Sequence, residues 1–345
     1  MNMILKFLKE NRESLHIDQY NLSDKLDFIL LAPHFRASSH ILFLIFPRGS
    51  PKPTLVVKVP RLAGINNSVE REAANLSAVQ ASRPEGFNSI PYLVTLQESH
   101  NRKILIETAL YGRAMDPKFV RKNRKYCIEM TIAWLIDIYQ STHCSAKVTP
   151  FWFERLIEQP IQYFSRRIPQ NEEESYLLKR TRETAEALRE MDLPIVFEHG
   201  DLSHPNILIP DQGRIGILDW EQAEPLGLPA CDLFFFLAYV GFAISRSREN
   251  GDYLSAFQST FFGKDAWARP YIQTYARQLQ LPFASLTPLF LLSWFRYLSN
   301  LVDRVTSNKA GNEYVRPETV DWIRANRYYE LWRYAVNQSN MLGWE

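Results

Sequence analysis

The hydrophobic pattern of this 345-residue chain changes its period at Gly112, and no other feature limits the fold as strongly. Before that point apolar residues come in short β-rich runs, Ile41–Phe46, Thr54–Val59, Tyr92–Leu96 and Lys103–Leu110. PRGSPKP separates the first two and QESHNR the last two, so each pair reads as a hairpin. Between the hairpins, Asn67 to about Gln80 has helical spacing, opened by Asn and Ser and carrying Glu70 and Glu72 in its first turns. After Gly112, helical spacing takes over in Ile128–Thr142, Tyr176–Met191, Leu286–Val305 and Thr319–Val336. Residues 1–30 read as a helical extension, with apolar positions at Ile4, Leu5 and Leu8 and then Leu26, Phe28 and Ile29. The expected fold class is α+β in two parts. Residues 1–111 form a small antiparallel sheet with one inserted helix, and residues 112–345 form a larger, mostly helical part.

Composition removes several function classes. The chain has 13 glycines, where average usage of roughly 7% would give about 24. Neither G-x-G-x-x-G nor G-x-x-x-x-G-K-[ST] occurs, which takes away the support for a dinucleotide fingerprint or a P-loop. A formal charge of +2 gives no global reason to bind nucleic acid or an anionic membrane. The basic cluster Lys118–Lys125 reads as a solvated face, since only Phe119 within it can stack on a base. Cys127, Cys144 and Cys231 are too few and too scattered for a disulfide framework or a zinc site. The N-terminus turns charged within six residues, unlike a secretory signal, and the longest apolar run, the 12 residues Leu233–Ile244, is too short to span a bilayer. A cytoplasmic protein with no membrane span is expected.

The chemistry is concentrated in residues 197–221, FEHGDLSHPNILIPDQGRIGILDWE. Here His199, Asp201 and Asn206 make H-x-D-x₄-N, and Asp219 follows 13 residues later at the end of a β run. Phosphoryl transfer needs such a set. One carboxylate must orient a hydroxyl and accept its proton, while an amide oxygen and a second carboxylate hold Mg²⁺ against phosphates. The short hairpin from Ile207 to Leu218 returns Asp219 toward Asn206, and hard oxygen ligands suit Mg²⁺ rather than zinc. His199 reads as a bracing residue. Asp232 reads equally well as a helix cap or as a second brace.

HGDLSHPNIL, ILDWEQA and DLFFFL together resemble the aminoglycoside phosphotransferase and choline kinase superfamily, across roughly residues 30 to 300. The resemblance implies a two-lobed protein-kinase-like fold, with Asp201 as catalytic base and Asn206 and Asp219 as Mg²⁺ ligands. VVKVPR would supply Lys58 to the phosphates of ATP or GTP, and REAANL would supply Glu72 to hold that lysine. Glu70 lies on another helix face and is the weaker candidate. KILIETALYG resembles the hinge, which assigns backbone groups around Thr108–Leu110 to the nucleobase. The nucleotide-covering turn would be Arg36–His40, where Ser38 and Ser39 can bring the main chain close to phosphates; an ordinary polar loop accounts for them equally well. The family's usual D-L-H-P-G-N is replaced by D-L-S-H-P-N, which displaces His204 and leaves its part at the acceptor open.

The implied activity is transfer of a γ-phosphoryl group from a nucleoside triphosphate to a small-molecule hydroxyl, on a sugar, an amino alcohol or an aminoglycoside-like compound. Residues 246–345 carry 12 Lys+Arg and 9 Asp+Glu, which argues against a polycationic acceptor. Aromatic residues abound there and can pack a core, cage an ammonium group or stack on a sugar ring. The alternative is a catalytically silent kinase-like scaffold or nucleotide sensor, motivated by the glycine-poor loop and the displaced His204. Oligomeric state stays open.

Overall fold

Apolar residues at alternate positions of the first hairpins sort onto the two faces of one sheet. The computed structural model describes residues 3–15, 17–20, 26–32, 40–210, 213–306 and 315–344. After helix α1 (Met3–Glu10), strands β1 (Leu26–Leu31), β2 (His40–Pro47) and β3 (Leu55–Pro60) lead into helix α2 (Asn67–Ala81). Strands β4 (Leu93–Ser99) and β5 (Arg102–Thr108) complete an antiparallel sheet of order β1-β2-β3-β5-β4. Leu55, Val57 and Val59 share one face with Phe43, Ile45, Ile104 and Ile106 and pack against Ile4 and Leu8 of α1. The opposite face carries Lys58 of β3 and, from β5, Leu105 and Glu107; Leu105 packs against Val69 and Ala73 of α2. Period-two alternation therefore aims Lys58 toward the α2 side.

Two local readings change in the structure. Leu26–Leu31 is a strand paired with Leu42–Pro47, not the end of a helical extension. A short continuous apolar run carries no period of its own, and the open edge of β2 decides its state. The second hairpin needs only a two-residue turn. His100 and Asn101, both left-handed with φ of 52° and 57°, let the strands run on through most of QESHNR.

Residues fall into two compact units, Met1–Met115 with Pro205–Pro225, and Asp116–His204 with Leu226–Glu345. The segment Pro205–Pro225 thus joins the sheet's unit, although it follows Gly112 in sequence. The second unit comprises α3 (Pro117–Lys122), α4 (Arg124–Thr142), α5 (Gln159–Arg167), α6 (Glu172–Glu186), α7 (Cys231–Ile244), α8 (Ser247–Asn250), α9 (Tyr253–Phe261), α10 (Arg269–Gln278), α11 (Phe283–Thr306), α12 (Pro317–Arg324) and α13 (Arg327–Asn337). Apolar on nearly every face, α7 is buried along most of its length. α11 packs on α5, α6, α7 and α13. The stretch Thr319–Val336 is two helices, because the Asn326 side chain accepts the Tyr328 N–H at 3.0 Å and caps a new start. Among the described residues no helix is long and apolar enough to cross a membrane.

Candidate functional site

In the first unit the site is built around Lys58. Buried positions on α2 recur at Val69, Glu72, Ala73, Leu76 and Val79, so Glu72 sits in the helix's inward stripe. Glu70 lies off that stripe and pairs with the partly exposed Lys103. Lys58 Nζ lies 2.5 Å from Glu72 Oε1 and 3.1 Å from Glu107 Oε1. All three side chains are buried. Burial opposes the charge on Lys58, but the carboxylates of Glu107, Glu72 and Asp219 outweigh it and hold the ammonium above the usual lysine range.

The hairpin from Ile207 to Ile217 brings two more predicted residues to this unit. Ile207 pairs with Ile217 and Leu208 with Gly216, and the Leu218 N–H donates to Asn206 O at 2.9 Å. This ladder sets Asn206 and Asp219 at the same end of the ribbon. Asp219 has left-handed backbone, φ 69°, which Asp tolerates better than most residues. The chain then turns so that the Trp220 N–H donates to Glu72 Oε1 at 3.1 Å. Asn75 Nδ2 donates to Trp220 O at 2.8 Å and to Ala223 O at 3.1 Å, clamping the turn to α2. Gly112 is required where it stands, because a Cβ there would lie 2.9 Å from Ile209 O.

Fit to a divalent cation follows from charge. One ammonium faces the carboxylates of Glu72, Glu107 and Asp219, and the second oxygens of Glu72 and Glu107 are buried without a hydrogen-bond partner. The cluster carries surplus negative charge, as a site that takes further positive charge would. Among the described residues no group of three or more His, Cys, Asp or Glu is arranged to hold a metal. Two oxygen donors, Asn206 and Asp219, suit Mg²⁺ completed by phosphate oxygens rather than a cage made wholly of protein.

Glu107 is a residue that sequence reasoning missed. The signal was a Glu inside the apolar strand KILIET, two residues after Leu105 and hence on the face of Lys58. Burial pushes its carboxyl up to about 7 against the pull of Lys58. The folded value lies above the ordinary 4.5, so the native state holds this proton more tightly than the unfolded chain. Its contribution to stability is greatest below about pH 4.5 and declines as pH rises to about 7. Glu107→Gln is therefore expected to melt at a temperature that rises relative to the wild type as pH goes from about 4.5 to about 7. A constant offset across that range would contradict the assignment.

The second unit holds the other half of the motif. Strand Pro194–Glu198 pairs with Cys144–Ser145 and ends in His199-Gly200-Asp201. Asp232, fully buried at the start of α7, accepts the His199 N–H at 2.7 Å, the Gly200 N–H at 2.9 Å and the Tyr139 hydroxyl at 2.9 Å. It braces the loop. Gly200 has φ 78°, a left-handed conformation that a side chain would strain. His199 Nδ1 accepts the Asp201 N–H at 3.2 Å, and the Ser203 N–H donates to Asp201 O at 2.8 Å. The imidazole thus orders backbone. One residue upstream, buried Glu198 accepts from Arg296 at 2.6 Å and from the Leu228 N–H at 3.1 Å, tying the strand to α11.

Asp232→Ala would leave three buried donors without their acceptor, at about 1–3 kcal/mol each. Chemical denaturation is expected to show a loss of roughly 4 kcal/mol, with Asp232→Asn recovering only part because its amide nitrogen would face donors. A loss below about 1 kcal/mol would mean that the loop is held by other contacts.

The remaining predicted positions fare differently. Ser38 and Ser39 lie outside the described residues. At the hinge, the Thr108 N–H donates to Tyr92 O and the Ala109 N–H to Thr54 O, each at 2.9 Å, so both close the sheet. Thr108 Oγ1 accepts the Tyr92 N–H at 2.9 Å. Among the described residues Leu110 has no such backbone engagement, and its side chain lies against Gly216.

Comparison with known proteins agrees with this architecture. The sequence model of the phosphotransferase enzyme family, APH, matches residues 38–271. No curated protein sequence matches the chain. Among solved structures, an ethanolamine kinase from Plasmodium vivax superposes with a TM-score of 0.60 at 13% identity, covering 99% of this chain and 91% of its own. An amicoumacin kinase bound to AMP-PNP and Ca²⁺ gives 0.54 at 12% identity, covering 99% of this chain and 98% of that one. An aminoglycoside phosphotransferase with ADP and hygromycin B gives 0.51 at 14%, with 94% and 98% covered. At these identities the likeness concerns the fold, which is protein-kinase-like.

Proposed function

This chain belongs to the APH phosphotransferase enzyme family, and from that premise we propose that it transfers the γ-phosphoryl group of ATP or GTP to a hydroxyl of a small molecule. The observation that carries this reading is buried Lys58, kept charged by Glu72, Glu107 and Asp219. A permanently cationic ammonium suits neutralisation of phosphate oxygens, and its carboxylate partners fix its position. Asn206 and Asp219 would hold Mg²⁺, which when bound draws negative charge from the phosphates. Asp201 would orient the acceptor hydroxyl and take its proton onto the carboxylate as the oxygen attacks in line. Its N–H is anchored on His199 and its carbonyl on the Ser203 N–H, so the loop backbone is ordered before substrate arrives.

Retention of Lys58, Glu72, Asp201, Asn206 and Asp219 argues against a silent module, which has no chemical need for all five. The test is an acceptor library of sugars, amino alcohols, hydroxy acids and aminoglycosides, offered with Mg²⁺ and ATP or GTP. Nucleotide consumption coupled to a phosphorylated product is expected for at least one acceptor. Nucleotide binding with no acceptor-dependent consumption would favour the sensor instead.

A further inference from the structure

Within the second unit, Tyr239 of α7 lies between His204 and a cation, Arg327, that nothing in the phosphotransfer scheme uses. His204, three residues after Asp201, meets the Tyr239 ring edge-on with ring centres 6.0 Å apart. Arg327, half-buried, donates through Nη2 to the hydroxyls of Tyr239 at 2.8 Å and Tyr328 at 3.2 Å. Its guanidinium lies 4.9 Å from the ring centre of Tyr253, 5.0 Å from that of Tyr328 and 5.5 Å from that of Tyr239. Three tyrosines thus cage a cation, and the cation belongs to the protein.

Among the described residues no carboxylate pairs with Arg327. Both phenol oxygens accept from Arg327, and the two phenols share one further bond of 2.9 Å. One phenol proton and the guanidinium's Nε and Nη1 protons therefore remain to be offered, with net positive charge. Tyr297, stacked on Phe235 at 3.8 Å, adds a buried hydroxyl without a partner. Arg327 is also the first residue of α13, after the cap Asn326. A cation there opposes the helix dipole, so helix stability does not account for it, whereas an anion brought to the same place is favoured by both.

Resting on the phosphotransfer reading, we propose that the acceptor carries a carboxylate or phosphate group besides its reacting hydroxyl, and that Arg327 in its tyrosine cage receives that group. A quaternary or primary ammonium head is excluded from the same place, because Arg327 already fills the cage. The planar guanidinium suits a two-oxygen anion.

Calorimetry on the full chain with matched probes tests this: serine against ethanolamine for the carboxylate, and glycerol 3-phosphate against glycerol for the phosphate. The wild type is expected to bind the anionic member of at least one pair tenfold or more tightly, and the pair that responds names the group. Arg327→Gln should bring that ratio near one, while Arg327→Lys, keeping the charge but not the fork, should retain a reduced preference. A melting curve identifies a misfolded Gln variant, in which case Arg327→Lys decides, an undiminished ratio counting against the proposal. Absence of preference in both pairs in the wild type, or an unchanged ratio in Arg327→Gln, overturns it. The measurement needs no turnover, so Asp201→Asn should keep the preference. Failure of every acceptor to drive nucleotide consumption would overturn the phosphotransferase reading and leave the binding result standing.

Discussion

Asp201→Asn is expected to lower turnover by about three orders of magnitude or more while changing nucleotide affinity by less than roughly threefold. The substitution keeps the size and shape of the side chain and removes its ability to accept a proton. Hydrogen bonds that order the loop's backbone run through His199 Nδ1, the Ser203 N–H and Asp232. Asp201 donates its backbone N–H to His199 and accepts from Ser203 through its carbonyl, and the turn before it hangs on Asp232. A fall in the catalytic constant with unchanged melting temperature and unchanged nucleotide titration therefore isolates proton acceptance from folding. Turnover like that of the wild type would remove Asp201 from the mechanism altogether.

Asp219→Ala is expected to abolish the Mg²⁺-dependent part of nucleotide binding, weakening affinity in the presence of metal by about a hundredfold. Two effects have to be separated, because Asp219 is both a proposed metal ligand and one of the carboxylates that hold the Lys58 charge. With Asp219 gone, Lys58 keeps Glu72 and Glu107, so it stays protonated and should still attract phosphate. The loss should thus appear with Mg²⁺ present and be small without it. Left-handed backbone at this position disfavours Ala, costing about 1 kcal/mol of stability. Asp219→Asn, which tolerates that conformation and keeps one oxygen donor, serves as the control and should fall between the two. Calorimetry with and without metal reads all three proteins. Equal metal dependence in the wild type and Asp219→Ala would assign the magnesium elsewhere.

Lys58 and Glu72 are marked in the sequence by the resemblance of VVKVPR and REAANL to the family, and their local periods agree with it. Alternation along β3 puts Lys58 opposite the core face, and helical spacing puts Glu72, not Glu70, in the inward stripe of α2. Glu107 and Asn75 obey the same rules but carried no motif. Their meaning came from what lay across from them, the Lys58 ammonium in one case and the Trp220 and Ala223 carbonyls in the other. Asp232 reads equally as cap or brace in the sequence, and the three donors converging on it from α4 and the His199-Gly200 turn make it a brace.

What the sequence by itself determined was the order of elements, the two hairpins with α2 between them, and the spacing of Asp201, Asn206 and Asp219, the proposed reacting set. These follow from period, turn chemistry and spacing, which act over a few residues and are written in neighbouring letters. Tertiary structure decided the strand state of Leu26–Leu31, the break at Asn326, the transfer of Pro205–Pro225 to the sheet's unit and the company of Arg327. Each depends on pairing partners, electrostatic neighbours or unmet donors contributed by distant segments. An apolar hexapeptide becomes a strand where an edge needs one, and an arginine becomes a candidate anion receptor where three tyrosines and, among the described residues, no carboxylate pair with it.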